Sequence, residues 1–200
     1  MSKKIAIYGA GGHGKVVGEI ALLNNFEDIF FFDDAINLGS EKFPFKIEGS
    51  SKDLESNLKN FDYFFVAIGN NLIRKKKIEW LNSLNVKLVT LIHPNSFVSR
   101  FVRLGQGVCV MANVVLNAGV SIGDGVILNS SASIDHDCEI GNYAHISPNC
   151  SLSGGVIIGE STHIGTGTSI HPLIKIGKNV KTAVGSRVFK DLFDNIIFKN

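Results

Sequence analysis

Between Val98 and Ile176 an aliphatic side chain returns at every sixth position without a slip: Val98, Leu104, Val110, Leu116, Ile122 and onward through Ile164, Ile170 and Ile176. Four positions after each stands a second, mostly small residue, from Val102 and Val108 through Ala132, Cys138 and Ala144 to Val180. A six-residue period fits neither the 3.6 of a helix nor the 2 of an open strand. It predicts a parallel β-helix, in which each hexapeptide gives one short strand and one corner, and three sides close one coil. The aliphatic residue points into the prism and the small one lies near the corner. Residues 98–181 hold enough hexapeptides for about four to five coils. Parallel strands stacked about 4.8 Å apart make that roughly 20–25 Å of height. Gly105, Asn117, Gly123, Asn129, Gly141, Gly159, Gly165 and Gly177 each follow an aliphatic position. They are expected to form corners, because Gly and Asn tolerate backbone angles that other residues avoid. Periodicity leaves the hand of the coil open, and the ordinary crossover rule favours the right hand.

The pattern before this stretch is different. Lys4–Tyr8 reads as an apolar strand, followed by Gly9-Ala10-Gly11-Gly12-His13-Gly14 and a helix from about Lys15 to Asn24. Strands at Ile29–Phe32 and Tyr63–Ile68, a basic helix ending near Leu84 and a strand at Lys87–Leu91 complete a β-α-β alternation. This predicts a small Rossmann-like parallel sheet with helices packed on it. His93-Pro94 marks the expected boundary, dividing the chain into 1–93 and 94–200. The fold class is therefore an α/β N-terminal domain followed by a C-terminal parallel β-helix.

The GAGGHG run matches a phosphate-binding fingerprint, with Asp33 at a distance suited to a ribose. Alone it would suggest NAD, but so short a segment supplies one mononucleotide half. A nucleoside diphosphate needs only that half, with its phosphate at a helix N-terminus. A tight strand-to-helix turn with no ligand is the competing reading.

Composition narrows the field. The chain has 200 residues, 44% of them hydrophobic, and a net charge of +2, which is no nucleic-acid footprint. The one basic run, Arg74-Lys75-Lys76-Lys77, is expected to be a solvated helix face. Cys109, Cys138 and Cys150 have no metal-ligand spacing, and packing explains the last two, which predicts a reducing cytoplasmic setting and no metal. The N-terminus reads as a strand and glycine loop rather than a signal peptide, and no apolar run reaches membrane-spanning length.

The hexapeptide phase resembles the left-handed β-helix of acyltransferases. Together, IYGAGGHG, FFFDD, DYFFVAIGNNLIRKK, LIHPNS, VILNSSASIDHDCEIGNYAHISP and LSGGVIIG resemble the bacterial nucleotide-amino-sugar N-acetyltransferases and sialic acid O-acetyltransferase-like proteins. Within that group the likeness is to the UDP-4-amino-sugar enzymes of the bacillosamine pathway. The resemblance implies a homotrimer with active sites between neighbouring prisms, acetyl-CoA on the β-helix and a UDP-sugar on the N-terminal domain. It implies that His136 is the general base and Asp137 its acidic neighbour, where the family often has Glu. His145 would lie near the acetyl thioester and Asn129 in the same corner region. Gly11, Gly12, His13, Asp33, Asp34, Gly69 and Asn70 fall in the nucleotide-sugar segments.

The residues suit that chemistry. An amine attacking a thioester must lose a proton, and an imidazole titrating near neutrality can take it. A carboxylate on the other ring nitrogen fixes the tautomer. Eighteen residues on from His136 is Gly154 and eighteen back is Ala118, so space is expected above and below the ring. Gly154 and Gly155, with Gly165 and Thr166 further along, are expected to meet the thioester or pantetheine arm. The same arithmetic stacks His163 on His145. Cys138 is a competing nucleophile, but its inward slot predicts a buried, poorly reactive thiol. Relatives' Gly-x-Pro-Ala segment over CoA has no counterpart. Phe189, Leu192, Phe193, Ile196 and Ile197 are expected to cap the prism, with Arg187 or Lys190 near CoA phosphates. Two alternatives to amine acetylation stay open: a sugar O-acetyltransferase of the sialic acid type, and a non-catalytic trimeric sugar-binding scaffold.

Overall fold

In the computed structural model, which describes residues 3–35 and 45–199, the chain divides into two compact units, Met1–Leu91 and Ile92–Asn200. The first is a parallel sheet of β1 (Lys4–Tyr8), β2 (Asp28–Phe32), β3 (Ile47–Gly49) and β4 (Tyr63–Val66) in the order β3-β2-β1-β4. The first three expected strands are present, and β3 and the short helix α2 (Ser51–Ser56) are additions. A reciprocal Ser50/Asp53 capping box starts α2. Two longer helices cover the sheet: α1 (Gly12–Leu23), which begins three residues earlier than expected, and α3 (Asn71–Ser83). α1 buries Gly14, Val17, Gly18 and Ala21, a single helical stripe. α3 buries Asn71, Arg74, Ile78 and Leu81 in the same way. Arg74 is 1% exposed, so the basic run is not a solvated face throughout: its first residue belongs to the core. The expected strand at Lys87–Leu91 reduces to a bridge between Leu88 and Phe64.

The second unit is a left-handed parallel β-helix with three faces of five, six and seven strands. Each prism strand is two residues long and, the last excepted, pairs with the strand eighteen residues away, as Ile122 does with Leu104 and Ile140. The aliphatic ladder and the small residues four positions on form one core, with Leu116, Val126, Ile134, Cys138 and Ala144 fully buried. Toward the later coils that core turns partly polar. Buried Thr168 and Thr182 bond each other at 3.1 Å, and Thr162 Oγ1 donates to Gly177 O at 2.7 Å.

Two details of the corners differ from expectation. The left-handed backbone angles fall three positions after the aliphatic residue, at Asn113, Ser131, Asp137, Asn149 and Asn179 among others. The glycines one position after it have a different cause, close stacking of coils. A Cβ on Gly123 would lie 2.3 Å from Asn142 Oδ1, and one on Gly159 would lie 2.5 Å from Gly177 C. Second, the tail is not a plug. It continues the winding with strands Arg187–Val188 and Ile197–Phe198. Ile176 pairs with Leu192 and Lys181 with Ile197, so this coil has sixteen residues instead of eighteen. Leu192 is buried and Ile196 packs on the core, but Phe189, Phe193 and Ile197 face outward at 70%, 84% and 69% exposure.

Candidate active site

His136 stands at the corner joining the six-stranded face, through Ser133–Ile134, to the five-stranded face, through Glu139–Ile140. Its Nδ1 lies 2.9 Å from Asp137 Oδ2. The short Asp side chain therefore reaches the imidazole. It does so from a left-handed conformation, φ 58°, which Asp adopts more readily than most residues. Both side chains are open to solvent, His136 at 63% and Asp137 at 74%. The hydrogen bond to Asp137, then the charge of Asp135, raise the His136 pKa above the ordinary histidine value.

The neighbouring coils leave room for this pair. A Cβ on Gly154 would sit 2.6 Å from His136 Cε1 and Nε2, and one on Gly119 would sit 2.3 Å from Asp137 Oδ1. Gly154 thus matters for what it lacks. The N–H of Gly155 donates to His136 O at 2.9 Å, and that of Gly165 to Thr182 Oγ1 at 2.8 Å, so both are engaged within the prism. Thr166 is exposed at the corner beside Gly165. Cys138 is fully buried and its Sγ donates to Ser153 O at 3.2 Å. Burial raises its pKa, as burial pushes Cys150 up to about 11.

His145 lies elsewhere, on the seven-stranded face. Its ring stacks on His163 with centroids 4.6 Å apart, and its Nε2 is 3.2 Å from Asn129 Nδ2. Ser147 Oγ holds His163 Nε2 at 3.0 Å. In a three-sided prism, a corner shared by two faces is opposite the third. One chain therefore unites His145 with Asn129 but does not bring either to His136. Among the described residues no cluster of three or more His, Cys, Asp or Glu is arranged to hold a metal.

The N-terminal unit carries a second cleft, of about 360 Å³, at the carboxyl ends of β1 and β4. Neighbouring strands β2 and β4 leave β1 on opposite sides, which is the switch point where open α/β sheets bind ligands. The fingerprint glycines divide their roles. Gly9 has φ 114° and packs on Ala67 O, while a Cβ on Gly14 would fall 2.2 Å from Gly9 O. Gly11 and Gly12 face open space, as does Gly69 across the cleft. His13 lines the cleft with its Nε2 buried and without a hydrogen bond. Burial, then the Arg74 charge, push its pKa down to about 4, so the ring is neutral.

Asp33 and Asp34 are engaged in bracing the cleft. Asp33 accepts from the N–H groups of Ala10 and Ala35, both at 2.8 Å. Asp34 accepts from Tyr8 Oη at 2.6 Å, Ser51 N at 2.7 Å and Lys77 Nζ at 2.9 Å. Partial burial opposes its ionisation, but these bonds outweigh that and hold the carboxyl far below its usual range. Lys77 also lies 4.2 Å over the Tyr8 ring. This Tyr8–Asp34–Lys77 cluster went unread in the sequence, although its signal was a lysine in a helix following GNN. Asn70 caps α3, accepting from Leu72 and Ile73 N–H at 3.1 Å.

Comparison with known proteins agrees with both halves. Residues 4–81 match the PglD N-terminal domain, and residues 119–154 match the bacterial transferase hexapeptide, six repeats. The acetyltransferase domain of PglB from Neisseria gonorrhoeae is 39% identical over 100% of this chain and 97% of its own, with a TM-score of 0.92. That domain has also been solved in complex with acetyl coenzyme A. PerB from Caulobacter crescentus, in complex with CoA and GDP-perosamine, is 35% identical over 98% of this chain and 94% of its own, with a TM-score of 0.92. A curated relative, UDP-N-acetylbacillosamine N-acetyltransferase of Bacillus subtilis, is 35% identical over 118 residues, 55% of this chain. The match spans about half, 52%, of that relative's length.

Proposed function

Because the chain belongs to the family of hexapeptide-repeat acetyltransferases that carry a PglD N-terminal domain, we propose that it moves the acetyl group of acetyl-CoA onto the amine of a nucleotide-linked amino sugar. The acceptor we favour is a UDP-linked 4-amino-4,6-dideoxy N-acetyl hexose, by likeness to the bacillosamine enzyme. The observation that carries this reading is an exposed imidazole with one nitrogen on a carboxylate and its ring over a bare glycine.

Asp137 keeps the His136 proton on Nδ1, which leaves Nε2 as acceptor. The sugar amine attacks the thioester carbonyl and gives its proton to Nε2. The carbon–nitrogen bond forms, the carbon–sulfur bond breaks, and the proton passes to the leaving thiolate. The nucleotide lies in the N-terminal cleft, with its diphosphate at Gly11 and Gly12 at the start of α1. Asp33 and Asp34 act by holding that cleft in shape, and His13 offers its neutral ring to the ligand. Because His136 and His145 occupy opposite sides of one prism, a complete site takes His136 from one copy and His145 with Asn129 from the next. The homotrimer that the family resemblance implies is one closed arrangement that supplies every copy with a neighbour.

The test is release of free thiol from acetyl-CoA with a panel of UDP-, GDP- and dTDP-amino sugars. Turnover is expected with the UDP-4-amino sugar. Turnover only with a hydroxyl in place of the amine would reassign the chain to O-acetylation, and binding without turnover would make it a scaffold. His136→Ala is expected to lower kcat by about 10²–10⁴ while acetyl-CoA affinity holds. Undiminished turnover in that variant would remove the base.

A further inference from the structure

His136 has two carboxylate neighbours, and the reaction outlined above uses only one. Asp135 Oδ1 accepts two hydrogen bonds: from the backbone N–H of His136 at 2.8 Å and from Asn117 Nδ2 at 2.9 Å. Asn117 belongs to the coil beneath, one turn of the prism below Asp135. A side chain from one coil thus fixes a carboxylate in the next, and that carboxylate fixes the backbone from which the imidazole projects.

We propose that Asp135, oriented by Asn117, is a positioning residue for acetyl transfer: it pins the corner that presents His136 and sets a second negative charge beside the ring. The proposal rests on His136 acting as the base. Hydrogen bonds from Asn117 and from the His136 N–H hold the Asp135 carboxyl below its ordinary range, so it stays charged wherever a histidine titrates. Its charge is the second cause raising the His136 pKa, after the Asp137 hydrogen bond. The adjoining coils add no opposing charge, since the one below presents Asn117, Ala118 and Gly119 to this corner and the one above Ser153, Gly154 and Gly155. The ring therefore has one carboxylate on its Nδ1 and a second held on its own backbone N–H, and both stabilise the imidazolium that forms as the amine loses its proton.

The sign is definite. A base works when neutral, so activity falls as pH drops through the His136 pKa. Removing the Asp135 charge makes protonation harder and moves that fall to lower pH. Asp135→Asn keeps the shape and an acceptor oxygen but not the charge. Its kcat/KM acid limb should move down by about 0.5–1 pH unit, with a lower plateau because the base is weaker. Asn117→Ala keeps the charge and loosens it, so kcat should fall about 3–10-fold with the limb in place. NMR titration of the His136 ring in wild type and in Asp135→Asn reads the same shift without turnover, its resonance being the one absent in His136→Ala. A merely structural role would lower the melting temperature of both variants and leave ring and limb unmoved, and that result overturns the proposal. So does wild-type kcat in Asn117→Ala. An active His136→Ala would instead sink the assignment of the base, so the two failures are told apart.

Discussion

Gly154 shows how much of this site depends on a single missing atom. The His136 ring lies where a Cβ on residue 154 would be, 2.6 Å from two ring atoms. Gly154→Ala should therefore rotate the ring off Asp137 and lower kcat about as far as His136→Ala does, about 10²-fold or more. The melting temperature should hardly change, since the ring is free to swing into solvent. Steady-state kinetics beside a thermal melt checks this, and wild-type kcat would refute it. The open space that Gly154 leaves beside His136 was legible in the sequence, because an eighteen-residue coil turns sequence distance into vertical distance, while the proposed roles of His136 and Asp137 came from the family resemblance. What the coil arithmetic could not reveal is hydrogen bonding. Nothing in the spelling of Asp33 and Asp34 says that backbone N–H groups, Tyr8 and Lys77 occupy their oxygens.

At the scale of elements, period decided what could be read. The prism strands announce themselves through a strict six-residue beat although each is only two residues long. β3 has three residues and α2 six, too few to show any period, and only the Ser50/Asp53 capping pair marks the start of α2. Arg74 looked solvated because it sits in a run of four cations. The spacing of Asn71, Arg74, Ile78 and Leu81 along one face of α3 was the contrary signal. The junction of β1 and α1 carries a prediction of its own. A Cβ on Gly14 would meet the backbone oxygen of Gly9 at 2.2 Å, and backbone cannot step aside as a side chain can. Gly14→Ala should lift the first turn of α1 from the strand, costing about 1–3 kcal/mol. Nucleotide-sugar binding should weaken well before acetyl-CoA binding does. Calorimetry with each ligand measures the difference, and equal losses would mean that the loop has no special part in nucleotide binding.

At the scale of the molecule, the three-sided winding makes a further prediction. His136→Ala and His145→Ala chains should each be inactive alone. If a site takes one histidine from each of two copies, unfolding and refolding an equal mixture should restore about a quarter of the sites. That fraction is the chance that the first donor is a His145→Ala chain, one half, times the chance that its neighbour is a His136→Ala chain, also one half. Recovery of no activity would place both histidines in one copy's site, and full activity of either variant alone would remove that histidine from the reaction.

On the proposal that each site is shared between two copies, catalysis becomes a collective property. A chain diluted until it parts from its fellows would keep its core and its shape yet stop turning over, and activity would return with a steeper than linear dependence on concentration. A defective copy would likewise silence more than itself, because it withholds a histidine from one neighbour and fails to use that of another. Substitutions that merely roughen an apposed face would then behave as dominant lesions in a mixed population, with no trace in the stability of the chain that carries them.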